Sequence, residues 1–172
     1  MPRLPAGSSR RYLGVDPGAS GGLASIYLPE GNGFFVTKLA IVKAVPMPQG
    51  DLEKLEWFEG FHPGITFCCI EKVSGFIGSP QPGSAMFKFG CGYGKLLMAL
   101  LAAKIPHEEV VPRTWQSKLG IAPRKRSESK TQFKNRLKSK AQQLFPNVKV
   151  TLATADALLI AEYCRRKCEG RL

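Results

Sequence analysis

The run Tyr12-Leu13-Gly14-Val15-Asp16-Pro17-Gly18-Ala19-Ser20-Gly21-Gly22-Leu23-Ala24-Ser25-Ile26-Tyr27-Leu28 decides the fold. Residues 12–15 and 23–28 are β-rich, and the glycine-rich turn between them, 17–22, is too short to hold a helix. A third β-rich run, 34–42, follows a second turn at Gly31-Asn32-Gly33. The three predict an antiparallel meander. A dinucleotide-binding fingerprint is excluded, because its glycine turn opens a helix rather than a second strand. Asp16 closes the first strand and opens the turn, which puts a carboxylate at the sheet's rim beside backbone free to approach a ligand. Its plainer reading is a turn-capping aspartate, common in Asp-Pro-Gly.

Further along, residues 51–60 read as a short helix with Asp51 as N-cap and Leu52, Leu55 and Phe58 on one face. Residues 65–73 form a continuous apolar run with Glu71 inside it, the pattern of a buried central strand. A Gly/Ser/Pro-rich loop at 75–83 leads to a long helix, 84–104, capped by Ser84, and 108–112 returns as a strand. Residues 129–144 present Phe133, Leu137 and Leu144 along an amphipathic helix, and 154–167 form the last helix. Three strands, helix, strand, helix, strand predicts an α/β protein with a mixed five-stranded sheet flanked by helices. Residues 1–11 read as a short flexible tail and 12–172 as one domain, a length at which one core suffices.

Of the net charge of +12, residues 113–140 carry +9, with ten basic side chains and one acidic. A device for solubility would be scattered, so the block points to a phosphate-contacting surface and a polyanionic partner, nucleic acid first. No run approaches the roughly 20 apolar residues of a membrane helix, and the N-terminus lacks the apolar core of a secretory signal. A cell-interior setting and no membrane partner are expected. Of the five cysteines, the neighbours Cys68 and Cys69 point to opposite faces of a strand, and Cys164 and Cys168 share a helical face without the Cys-x-x-Cys spacing that zinc prefers, so reduced thiols are expected.

Three carboxylates carry the chemistry. Besides Asp16, Glu71 sits in Phe67-Cys68-Cys69-Ile70-Glu71-Lys72-Val73, where an ionised side chain is costly unless paired, for instance with Lys72, or bound to metal. Asp156 lies in the first turn of an apolar helix, where the helix dipole alone would favour it. One acid at the end of the first strand, one on the fourth and one at the start of the last helix can gather at one end of a sheet. Hard oxygen donors suit Mg2+ or Mn2+, and a pair of ions roughly 3.5–4 Å apart can activate water at a phosphodiester.

The segments Gly14-Val15-Asp16-Pro17-Gly18 with Ser20-Gly21-Gly22, Ile70-Glu71-Lys72-Val73, Phe89-Gly90 with Tyr93-Gly94, and 155–163 (ADALLIAEY) together resemble the RuvC-type Holliday-junction resolvases, especially their phage and chloroplast branch. The resemblance runs from about Tyr12 to Lys167. It implies a ribonuclease H-like fold, a homodimer, and magnesium-dependent symmetric cleavage of four-way DNA junctions with two ions per active site. By that resemblance Asp16, Glu71 and Asp156 match the metal ligands. The family also places an acid three or four residues before the last one, where this chain has Ala153 and Leu152.

The loop 74–83 and the helix start 84–94 correspond to the part that enters the junction centre, which nominates Phe76, Ser84, Lys88 and Phe89 as DNA contacts. Phe87 reads equally as a core residue, and Gly90, Gly92 and Gly94 suggest close backbone approach to DNA or across a dimer interface. In the basic block, Lys118, Arg124, Lys125, Arg126, Lys130 and Lys134 would hold phosphates, with Lys130 and Lys134 one helical turn apart. Trp115 reads as core, with stacking on the substrate as its alternative. Two rival functions remain. A junction-binding module without activity would fit the missing fourth acid, and a ribonuclease H acting on RNA–DNA hybrids would share the carboxylates. An actin-like ATPase needs about twice this length.

Overall fold

The computed structural model describes residues 9–29, 40–74 and 82–172. Strands β1 (Arg10–Asp16), β2 (Gly22–Leu28) and β3 (Ile41–Pro46) form the meander. Helix α1 (Asp51–Glu59) and a 3-10 turn (Pro63–Ile65) lead to β4 (Thr66–Glu71), then α2 (Gly83–Ala102) to β5 (His107–Val110). Helices α3 (Pro112–Lys118), α4 (Lys130–Leu144) and α5 (Ala155–Cys168) complete the chain. The sheet order is β3-β2-β1-β4-β5. β1–β2 and β2–β3 pair antiparallel, and β1–β4 and β4–β5 pair parallel. This is the mixed sheet expected.

Side-chain alternation along β1 and β4 divides the core in two. Tyr12, Phe67 and Cys69 pack with Trp115, Leu137 and the body of α5 on one face. Leu13, Val15, Cys68 and Ile70 pack with Phe58, Leu96 and Leu100 from α1 and α2 on the other. Asp16 and Glu71 continue the first of these alternations, so both belong to the face covered by α5. Gly14 lets α5 come down there: a Cβ at that position would collide with the Ala157 carbonyl and the Ala161 amide. Residues 155–164 are consequently buried on every side, which is what an almost continuously apolar helix requires.

Several expected boundaries move. Arg10 and Arg11 belong to β1, paired with Leu28 and Tyr27, so the tail does not extend to residue 11; residues 1–8 lie outside those described. Among the described residues the third strand runs Ile41–Pro46, with Val42 and Ala44 packed against one core and Val45 against the other; it overlaps the expected run 34–42 at its end, and residues 30–39 lie outside those described. Gly50, not Asp51, caps α1, and the Glu53 carboxylate accepts its N–H at 3.3 Å. α2 starts at Gly83 with Pro82 as its cap and without help from the Ser84 hydroxyl. Pro112 opens α3 instead of ending β5, since a proline is suited to the first helical position. Ser129, expected as the first residue of its helix, instead caps α4, accepting from the Gln132 N–H while the Gln132 side chain accepts from the Ser129 N–H.

α2 also corrects the membrane reading, because its 20 residues are long and apolar enough, by length and composition alone, to cross one. It buries Leu96, Ala99 and Leu100 against the sheet and leaves Phe87, Met98 and Leu101 exposed.

Candidate active site

The parallel pairing of β1 with β4 places Val15 opposite Ile70, so Asp16 and Glu71 come next on adjacent strands, at their C-terminal ends. Asp156 reaches the same place from the first turn of α5. The three carboxylates interact electrostatically, and each has a distinct support. Asp16 Oδ1 accepts the Gly18 N–H at 3.4 Å, and its carboxylate lies where a Cβ on Gly21 would have to be. Glu71 Oε2 accepts the Trp115 indole N–H at 2.9 Å. Asp156 Oδ2 accepts from the Lys134 ammonium at 2.5 Å, while its buried Oδ1 has no partner among the described residues.

Burial pushes the Asp16 carboxyl up to about 6, helped by the charge of Asp156 and opposed by Lys134 and the Gly18 N–H. Burial likewise pushes Glu71 up to about 7, with Asp16 adding to the rise and the Trp115 N–H opposing it. For Lys134, burial pulls the ammonium down, but Asp156, Asp16 and Glu71 outweigh it and hold the group above its ordinary value. Acids pushed up by mutual repulsion and burial are a common mark of functional sites. Such a cluster gains from a cation placed among it.

Among the described residues, no three His, Cys, Asp or Glu side chains form a ready-made metal cage. The donor chemistry nonetheless fits a hard divalent ion. All three groups are oxygen donors, and one buried oxygen is left unpaired. Three and four residues before Asp156 stand Ala153, whose carbonyl lies beside Gly22, and Leu152, which is exposed, so neither side chain adds a fourth acid.

A search of solved structures finds two RuvC structures of Thermus thermophilus over nearly the whole chain. One matches with a TM-score of 0.56 at 19% identity, covering 94% of this chain and 95% of that one. The other, solved in complex with a Holliday junction substrate, matches with a TM-score of 0.58 at 17% identity, covering 94% and 97%. The chain has the RuvC fold. No family model matches it, and neither does any curated protein sequence.

Within this RuvC-like frame, the residues nominated from sequence fall into separate groups. Lys88 and Phe89 line a cleft of about 380 Å3 with Pro17 and Ala19 of the turn after Asp16, and with Gln49 and Lys54 near α1. Ser84 and Phe87 are exposed on the first turns of α2, and Phe76 lies outside the described residues. Lys118, Arg124, Lys125, Arg126 and Lys130 are exposed along α3, the loop after it and the start of α4. Lys134 is not part of that outer set, since its ammonium turns inward to Asp156. Trp115 is fully buried, so it cannot stack on a substrate.

Two side chains have roles that sequence reasoning did not assign. Trp115 holds Glu71, a role its buried position alone could not reveal. Arg136 fastens the basic loop: it bonds both Glu128 carboxylate oxygens at 3.0 Å and the carbonyls of Ala122 and Pro123 at 2.9 and 3.3 Å.

Proposed function

We propose that this RuvC-fold protein is a structure-selective DNA endonuclease that resolves four-way junctions, acting as a homodimer inside the cell. The observation that carries the reading is the gathering of Asp16, Glu71 and Asp156 at one end of the sheet, with a buried Asp156 oxygen left unpartnered. The Thermus thermophilus protein of the same fold, solved with a Holliday junction, supports branched DNA as the substrate.

Asp16, Glu71 and Asp156 would hold Mg2+ or Mn2+. Such a bound ion supplies Lewis-acid activation of water and charge neutralisation at the scissile phosphate. The protein's own part is positional. Trp115 orients the Glu71 carboxylate, Gly21 leaves room for that of Asp16, and α5 lowers Asp156 onto the strand ends through the contact at Gly14. The exposed cations at 118, 124, 125, 126 and 130 would track phosphates, and Lys88 with Phe89 would receive DNA beside the turn after Asp16.

A dimer is supported by α2. Phe87, Met98 and Leu101 are 73%, 63% and 59% exposed, and Gly90 and Gly94 share their side of the helix, where a Cβ would meet nothing within 4 Å, so the helix offers an open apolar face. Two sites related by a twofold axis would match the symmetry of a four-way junction and produce paired nicks with 5′-phosphate and 3′-hydroxyl ends.

The test is incubation with labelled four-way junction, linear duplex and RNA–DNA hybrid, each with and without Mg2+ or Mn2+. Metal-dependent paired nicking of the junction alone is the expected result. Binding of the junction without nicking would favour a non-catalytic module, and cleavage of the hybrid would favour a ribonuclease H.

A further inference from the structure

Helix α2 has two sides with different surroundings. Opposite the open apolar side, Lys88, Phe89, Gly92 and Leu96 follow one another at helical spacing and form one wall of the cleft of about 380 Å3. The turn after Asp16 and the segment of Met47 and Gln49 after β3 close it from the other side. Gly92 has no packing reason to be a glycine. A glycine in mid-helix is less stable than an alanine, and a Cβ at Gly92 would meet nothing within 4 Å. No described neighbour requires the gap, and the space it opens belongs to the cleft.

We propose that the cleft takes one unstacked nucleobase of the junction strand whose phosphate lies at Asp16, and that Gln49 reads the edge of that base. The inference rests on the nuclease reading above and goes beyond it by assigning a base-selective subsite.

The cleft is at the small end of ligand sites, with room for one nucleotide and too little for a paired helix. Met47 and Leu96 are buried and make an apolar floor, and Phe89, half-buried at the wall, offers a ring on which a base can stack. Lys88 is exposed with no partner among the described residues, so its ammonium is available to the phosphate of the same nucleotide. Gln49 supplies the polar rim and is held in place. Its Nε2 donates to the Met47 carbonyl at 3.2 Å, and its own carbonyl accepts from Lys54 at 3.4 Å. Among the described residues this leaves Oε1 without a donor. An acceptor fixed at one side of the cleft discriminates between bases by where their edges carry N–H groups, which differs from base to base.

The placement suits a strand under attack. The turn after Asp16 separates the carboxylates, on the α5 side of the sheet, from the cleft, on the α2 side. A strand crossing the ends of β1 and β4 can present a phosphate to the first and the neighbouring base to the second. Drawing a base from its stack costs least where the stack is already broken, as at a branch point, so the cleft also favours a junction over linear duplex.

The experiment uses four-way junctions with 2-aminopurine at successive positions around the branch point, a base that brightens when it leaves the stack. They are bound by the full chain carrying Glu71→Gln, which is expected to bind without cutting, and by the same chain with Gly92→Leu added to fill the cleft. One position is expected to brighten severalfold with the first protein and not with the second, at equal binding on a native gel. Cleavage by the wild type is then timed on junctions carrying each of the four bases at that position. The rates are expected to spread about tenfold or more, and Gln49→Leu to flatten the spread. The absence of a brightening position, equal brightening with Gly92→Leu, or a spread that Gln49→Leu leaves unchanged overturns the inference while leaving the nuclease reading intact. A wild type that binds and never cuts overturns the nuclease reading, and the fluorescence then decides the cleft by itself. Absence of junction binding overturns both. If Gly92→Leu fails to fold, Gln49→Leu, at an exposed loop position, decides alone.

Discussion

Raising the pH in the presence of a chelator should destabilise the protein, and the carboxylate cluster determines by how much. Asp16 rises from 3.8 to about 6 on folding and Glu71 from 4.5 to about 7, both chiefly through burial. Each acid binds its proton more tightly folded than unfolded, so the folded state holds more protons between about pH 4 and 7. Stability must therefore fall as the pH climbs through that window. At 1.36 kcal/mol per pH unit, each rise corresponds to about 3 kcal/mol. The two acids repel each other, so their effects overlap rather than add in full. Even one of them is enough to read, since 1 kcal/mol shifts the melting temperature of a chain this size by roughly 2–4 °C. The carboxylates that folding pulls down, Asp51, Glu128 and Glu162, start from 3.8 to 4.5 and are already ionised in both states above pH 5.5. Thermal melts in chelator should thus drop by roughly 6 °C or more from pH 5 to pH 8, and millimolar Mg2+ at pH 8 should recover much of the loss. A melting temperature that is flat or rises over this range, or that ignores Mg2+, would refute the reasoning.

Gly14→Ala should cost about 3 kcal/mol or more in urea unfolding, because the added methyl collides with backbone of α5 that cannot move without lifting Asp156 from the strand ends. Trp115→Phe removes the N–H that holds Glu71 and opposes its rise, so the acid limb of the cleavage–pH profile should move to higher pH. Replacing Arg124, Lys125 and Arg126 together by alanine should weaken junction binding and flatten the slope of log K against log salt by about 3, measured by fluorescence anisotropy.

The meander and the parallel strands were legible because alternation and short glycine turns leave few other solutions for residues 12–28 and 65–73. α3 was not, since a seven-residue helix has too few turns to display a period, and Pro112 reads equally as a strand end. The three acids could be nominated from sequence because each stands out against apolar neighbours. Their supports could not. Nothing in the local pattern of Trp115 distinguishes a buried indole that merely packs from one that donates to Glu71 44 residues away. Lys134 looked like Lys130 because both belong to one basic helix; which of them turns toward Asp156 depends on how α4 lies against α5. Arg136 was hidden for the same reason, its partners being carbonyls of a loop with no marked composition beyond its charge.

The central claim is that the Asp16–Glu71–Asp156 cluster cuts junctions that the rest of the molecule binds. The most direct measurement compares wild type with Glu71→Gln on a labelled four-way junction in Mg2+, on native and denaturing gels in parallel. The account predicts that both proteins shift the junction on the native gel and that only the wild type yields paired nicks. Nicking by Glu71→Gln at the wild-type rate, or a wild type that binds the junction and never nicks it, would contradict the account.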